Sequence, residues 1–238
     1  METVDCIPKL DHLDVPGDTP MAINCEWGAY DNVHEVLPRT VYDKQIDTDS
    51  PRPGQQTFEK MIAGLYLGEV VRLALVDLTD QNYIFENQNI TKIRKPYIMD
   101  ASVLSEIELD PFENLMETHT LFEIKYGIHC TEPERKLIRR LAELIGTRAA
   151  RLSACGIAAI CKKKNYSDID VGADGSVFNK YPLFKQRLDE ALKEIFGDRK
   201  INTIAAEDGS GVGAALITCL TLKRVEHGLK AGVKKADN

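Results

Sequence analysis

The stretch TEPERKLIRRLAELIGTRAARLSACGIAAICKKK, residues 131–164, constrains the fold more than any other part of the chain. Thr131 and Glu134 stand at capping-box spacing, and Pro133 falls in the first turn, where a missing N–H costs little. Leu137, Ile138, Leu141, Leu144, Ile145, Leu152 and Ile160 then mark one face for about eight turns. Arg140, Glu143, Arg148 and Arg151 interrupt any membrane-spanning reading. Ala149, Ala150, Ser153, Ala154, Gly156 and Ala158 suit a helix packed closely inside a domain.

Two strand–turn–helix units follow. DIDVGADGSVFNKYP reads as a strand entering a glycine turn, ahead of the amphipathic PLFKQRLDEALKEIFG, with Gly197 as C-cap. INTIAAEDGSGVGAALITCLTLKRVEHG repeats the pattern. That order indicates an α/β fold with ligands at the C-terminal ends of strands. Upstream, MAINCEWGAY reads as a short strand entering a turn, and a long helix is expected from about Gln56 to Asp77. The region from Tyr83 to Cys130 reads as short helices and loops broken at Pro96 and Pro111.

With 238 residues and a net charge of −7, the chain lacks the basic surface that general nucleic-acid or anionic-membrane binding requires. The tail lysines of GVKKA are too few for a polybasic anchor, and METVDCIPKLDHLD holds no apolar run of the signal-peptide kind. Six cysteines without Cys-x-x-Cys spacing read as reduced thiols of a cytoplasmic protein. His129-Cys130 is the nearest approach to a metal pair, and no metal ligand set is expected from it.

Gly209, Gly211 and Ala214 satisfy G-x-G-x-x-A, yet only one helix and a tail remain after them, so no second strand can complete a dinucleotide unit. Glu207 and Asp208 also place negative charge beside the supposed phosphate cradle, and the Walker pattern is absent. The turn holding Asp174, Gly175 and Ser176 is either a plain tight turn or a place where backbone meets a ligand. In SPRPGQQTFEKMIAGLYLGE, Gln56 and Glu59 lie three apart and so share a face. Dipole complementarity alone accounts for a glutamate there. Amides and carboxylates together also suit sugar hydroxyls, which both donate and accept. Gly64 and Gly68 each weaken a helix by about 1 kcal/mol relative to alanine, which points to close approach by a neighbour.

The blocks MAINCEWGAYDN, LPRTVYD, SPRPGQQTFEKMIAGLYLGEVVR, YIMD, DPFENL, PERKLIRRLAELIGTRAARLSACGIAAIC, ADGSVFNKYP and AEDGSGVGAALIT run in order over nearly the whole chain. Together they resemble the C-terminal large domain of the hexokinase family, in its fungal form. The resemblance implies an actin-like ATPase (ribonuclease H-like) fold of α/β class. It divides the chain into a lead-in (1–20), the large domain (21–228) and a polar tail (229–238).

Family likeness implies that Glu26, Gln56 and Glu59 hold glucose hydroxyls. It assigns Asp174, Gly175 and Ser176 to adenosine, with Gly64 near the nucleotide and Lys180 on the same wall. A Glu-Thr-Lys stretch of mammalian relatives reads Glu123-Ile124-Lys125 here, so its hydroxyl contact is lost. The E-D-G-S-G turn resembles a hinge segment of the same fold. The implied reaction is transfer of the ATP γ-phosphoryl group, with Mg²⁺, to the 6-hydroxyl of glucose and related hexoses at the entry to glycolysis. The D-L-G-G-T-N phosphate loop with its aspartate base and the G-T-G-x-N turn do not occur in these residues. Met1 therefore resembles an internal methionine of a longer frame, and the general base is expected in an N-terminal half. The alternative expectation is a non-catalytic form with residual sugar or nucleotide binding or a regulatory role. Outright decay predicts an exposed apolar face.

Overall fold

A computed structural model describes residues 2–10, 16–206 and 208–228, so the polar tail and Glu207 lie outside the described residues. Two compact units share the chain, one from Met1–Glu26 with Ala206–Asn238 and one from Trp27–Ala205.

In the first unit, β1 (Glu2–Thr3) pairs antiparallel with β2 (Pro20–Met21), Glu2 opposite Met21. Helix α9 (Gly209–Glu226) belongs to the same unit and exposes Val212, Leu216, Ile217, Leu220, Leu222 and Val225.

The second unit is mostly helical, around a main core and a smaller cluster of Ile46, Val70 and Leu73. Its elements are α1 (Val41–Asp49), α2 (Thr57–Ile62), α3 (Gly64–Asp80), α4 (Ala101–Leu109), α5 (Met116–Tyr126), α6 (Glu132–Lys163), β3 (Asp168–Ala173), α7 (Ser176–Lys180), α8 (Phe184–Phe196) and β4 (Lys200–Ala205). Strands β3 and β4 are parallel, in register from Asp168 opposite Lys200 to Ala173 opposite Ala205. That pairing is what two consecutive strand–turn–helix units produce when the intervening helices return the chain to the start of the sheet.

Helix α6 is the spine, packed against α2, α3, α4 and α8. Its cap forms as the sequence indicates: the Glu134 carboxylate accepts from both the amide and the hydroxyl of Thr131, at 2.7 Å each. Its buried stripe holds the small residues expected there and departs from expectation at two large ones. Ala142, Gly146, Ala149, Ala150, Ser153, Ala154 and Ala158 are buried, whereas Leu144 and Ile160 are 47% and 43% exposed. Small residues win the interior because neighbours come close: a Cβ on Gly146 would stand 2.8 Å from a ring carbon of Tyr181. One eighteen-residue window of α6 is long and apolar enough to cross a membrane. Its exposed positions, however, carry ion pairs such as Arg151–Glu194 and Arg140–Glu143, which are unsuited to lipid.

Two expectations need correction. The helix expected from Gln56 to Asp77 is two helices, because Ala63 is extended (φ −78°, ψ 141°) and α3 runs on to Asp80. The break makes Gly64 the first residue of α3, against α4 and α7. The strand expected in MAINCEWGAY is confined to Pro20–Met21, and Trp27–Ala29 form a short 3₁₀ turn. Glu26, at φ +46°, leaves the extended region just before that turn.

Candidate functional site

Three devices hold the start of α2. Trp27 packs edge-on to Phe58, ring centres 5.8 Å apart, and lies so close to α6 that a Cβ on Gly156 would stand 2.3 Å from the indole. Tyr30 meets Phe58 in the same manner at 6.2 Å. Behind the helix, the Thr57 amide donates to Asn32 Oδ1 at 3.2 Å, and the Thr57 hydroxyl lies 3.2 Å from His34 Nε2. Lys60 Nζ reaches Asp47 at 2.6 Å and the Arg52 carbonyl at 2.8 Å, while the Gly54 amide donates to both Asp47 oxygens at 3.1 Å. The Pro53-Gly54 turn is thus fixed on buried charge rather than left as a free loop.

Gln56 caps this assembly in the left-handed region (φ 54°, ψ 40°), and Glu59 follows one turn into α2. Both side chains converge on Gly28. A Cβ placed there would lie 2.7 Å from Gln56 Oε1 and 3.3 Å from Glu59 Oε2. Gln56 Oε1 is buried and has no hydrogen-bond partner among the described residues. A carbonyl oxygen in that condition costs about 1–3 kcal/mol unless something donates to it. The arrangement offers an amide and a carboxylate side by side, a match for a group that both donates and accepts.

Glu26 stands in the first unit, exposed, with Asn24 Nδ2 donating to its Oε1 at 2.6 Å. The Asn24 side chain also accepts from the Glu26 amide at 3.3 Å, which steadies its left-handed backbone.

The second cluster lies where β3 ends. Gly175, at φ +139°, is in a conformation open to glycine alone, and among the described residues nothing lies within 4 Å of the place its side chain would take. Asp174, Gly175 and Ser176 are exposed around that turn, and Lys180 is exposed at the end of α7. Gly64 is brought to the same place: a Cβ on it would meet Val177 Cγ2 at 2.8 Å. The residues expected around adenosine are therefore neighbours, although more than a hundred positions separate Gly64 from Asp174 in the sequence.

At the E-D-G-S-G turn the Asp208 carboxylate folds over the start of α9, with Oδ1 2.6 Å from where a Cβ on Gly211 would be. In the Glu123-Ile124-Lys125 stretch, Ile124 is exposed and Lys125 pairs with Glu106 at 3.2 Å.

Sequence reasoning did not find Gly28, Asn32, His34, Asp47 or Lys60. The Gly of C-E-W-G was the available signal for the first. The others declare themselves only through long-range partners.

The hexokinase family model matches residues 1–220. A hexokinase of Emericella nidulans is 59% identical over 99% of this chain and 50% of its own length. Hexokinase-1 of Schizosaccharomyces pombe is 60% identical over 91% of this chain and 46% of its own. The solved hexokinase of Schistosoma mansoni, complexed with glucose, superposes with a TM-score of 0.79 at 33% identity, covering 87% of this chain and 48% of that one. The chain thus spans about half the length of the relatives it matches, and the α/β architecture accords with the actin-like ATPase fold. Over that half, fold and sequence agree, and the chain belongs to the hexokinase family.

Proposed function

We propose that this chain supplies the hexose- and adenosine-holding part of an ATP-dependent hexose 6-phosphotransferase acting in the cytoplasm at the entry to glycolysis. The observation that carries the reading is the convergence of Gln56 and Glu59 on Gly28, with Gln56 Oε1 buried and without a partner among the described residues. A hexose hydroxyl donating to that oxygen would remove the penalty of leaving it unpaired, and Glu59 would take a second hydroxyl proton. Glu26 is assigned to the same sugar on the family resemblance. The free thiols fit a reducing compartment.

Asp174, Gly175 and Ser176 would hold adenosine, with Gly64 and Lys180 beside them. The open, glycine-only turn at Gly175 fits the approach of such a group. Mg²⁺ would supply charge neutralisation on the transferring phosphates. No residue among these 238 is assigned to hold it. Nor does the chain contain the D-L-G-G-T-N loop with its aspartate base, and a missing base alone lowers a phosphoryl transfer by about 10²–10⁴. In this reading, binding is a property of these residues and turnover requires those further groups.

Isothermal titration with glucose and then Mg-ATP, beside a coupled assay for glucose 6-phosphate, tests this. We expect glucose binding that Gly28→Ala weakens at least about tenfold, since its methyl group displaces Gln56 Oε1, the end of a flexible side chain. Fold should survive that change. Glucose binding equal in wild type and Gly28→Ala would remove Gln56 and Glu59 from the site.

A further inference from the structure

Helix α5 ends at Tyr126 with Gly127 in the left-handed region (φ 74°), and the Ile128 amide returns to the Phe122 carbonyl. This reversal carries His129 back over the last turns of α5. There it meets His119 and Glu123, which stand one turn apart on the helix. His119 Nε2 lies 3.6 Å from Glu123 Oε2, and His129 Nδ1 lies 3.6 Å from Glu123 Oε1. One ligand atom from each of the three falls within 4.8 Å of the other two.

The first of these rings is already oriented. His119 Nδ1 is 3.1 Å from the Cys130 carbonyl, which can only accept, so Nδ1 carries the proton. A neutral His119 therefore presents a bare Nε2 lone pair towards Glu123, the outer-contact pattern of metal-binding histidines. The backbone of His129 is pinned as well. Gln88 Nε2 donates to its carbonyl at 2.8 Å, and the His129 amide donates back to Gln88 Oε1 at 2.7 Å.

We propose that His119, Glu123 and His129 form a binding site for a zinc-class divalent cation. With ligand bonds of about 2.0–2.1 Å, tetrahedral zinc places its ligand atoms about 3.4 Å apart. The cation would draw together three atoms that now lie within 4.8 Å of one another, each imidazole 3.6 Å from a different oxygen of Glu123. Two imidazoles with one carboxylate select zinc, copper or nickel over magnesium and calcium, which prefer oxygen. His129 is the adjustable ligand, its side chain 71% exposed. Arg135 also donates to the Cys130 carbonyl, at 2.6 Å, and Lys92 lies beside Gly127. Those positive charges hold the affinity below that of a closed four-ligand structural site. The cation would tie the end of α5 to the segment entering α6.

Exposed Cys6, Cys25, Cys155 and Cys219 would compete for zinc, so the test uses the full chain with its accessible thiols blocked by iodoacetamide. Titration with zinc chloride should show one bound ion, and magnesium chloride none. His129→Ala and Glu123→Gln, both at accessible positions, should each weaken zinc at least about tenfold, the lower end of losses seen for outer contacts alone. The zinc-dependent rise in melting temperature should disappear with it. Absence of zinc binding by the blocked wild-type chain overturns the proposal. So does binding that neither substitution changes.

Discussion

A side chain on Gly68 would occupy the place held by the Met99 carbonyl: its Cβ would lie 2.3 Å from that oxygen and 2.6 Å from the carbonyl carbon. Backbone, not a movable side chain, is the obstacle. Gly68→Ala would contribute about 1 kcal/mol of helix propensity, yet forced overpacking costs about 1–3 kcal/mol and more where backbone must shift. We expect net destabilisation of about 2 kcal/mol, seen as a lower urea midpoint with an unchanged slope. Gly64 is the contrast. Its obstacle is one methyl of Val177 at 2.8 Å, so Gly64→Ala should stay within about 1 kcal/mol of wild type. Equal midpoints for the two variants would contradict this account.

The Asp43–Arg148 pair joins α1 to α6 through two hydrogen bonds of 2.8 and 2.9 Å, with the Asp43 side chain only 3% exposed. Asp43 also accepts from the amide and hydroxyl of Thr40 at the start of α1. Removing one member of such a pair leaves a buried charge alone, at about 3–5 kcal/mol. Asp43→Ala should therefore cost much more than Arg148→Met adds on top of it. A double-mutant cycle by chemical denaturation reads the coupling. Additive losses would show the pair to be only a neighbourly contact.

How far these features are legible in sequence depends on the range of the interaction. Helix α6 and its Thr131–Glu134 cap are local, and so is the Gly197 stop of α8, at φ +63°. Gln56 and Glu59 were legible as a pair by their three-residue spacing. Gln56 nonetheless stands in the left-handed region ahead of α2 and meets Glu59 over Gly28 rather than on one helical face. The break at Ala63 was not legible, although Gly64 signalled the close approach that the structure shows to Val177 of α7 and Ala101 of α4. Asp47 and Lys60 were hidden, being partners across a turn with no periodic signal. The small residues of α6 were legible as a close-packing stripe, and Ala149, Ala150, Ser153, Ala154 and Ala158 are buried. Leu144 and Ile160, read as part of the apolar face, are exposed. His119 and Glu123, one helical turn apart on α5, carried a usable signal, while His129 needed the Gly127 reversal.

Asp47 makes the segment before α2 sensitive to acid. Burial pushes its carboxyl upward, but the Lys60 ammonium and the Gly54 amide outweigh that and hold it below the usual 3.8. A carboxyl lowered on folding stabilises the native state fully above its unfolded value, and that contribution is lost as pH falls through the lower, folded value. Protection of the Gly54 amide against hydrogen exchange should persist from neutral pH down to about 3.8 and decline below it. Asp47→Asn should remove this acid step and lower protection at neutral pH. A Gly54 amide whose protection is the same in both proteins would show that Asp47 does not fix the turn.

The six thiols should divide into two classes by reactivity. Cys130 is 3% exposed, and burial, then the Glu134 carboxylate, push its thiol up to about 12, with Arg135 acting in the opposite sense. Cys161 is 2% exposed, and burial raises it too. Because the thiolate is the nucleophile, both should resist alkylation under mildly alkaline conditions, where Cys6, Cys25, Cys155 and Cys219 remain accessible. Limited treatment with iodoacetamide followed by peptide mass spectrometry should find label on the four exposed cysteines first. Cys130 and Cys161 should acquire it only after denaturant is added. Early labelling of Cys130 in the native chain would mean that the segment between α5 and α6 opens readily, and the anchoring of His119 on the Cys130 carbonyl would fall with it.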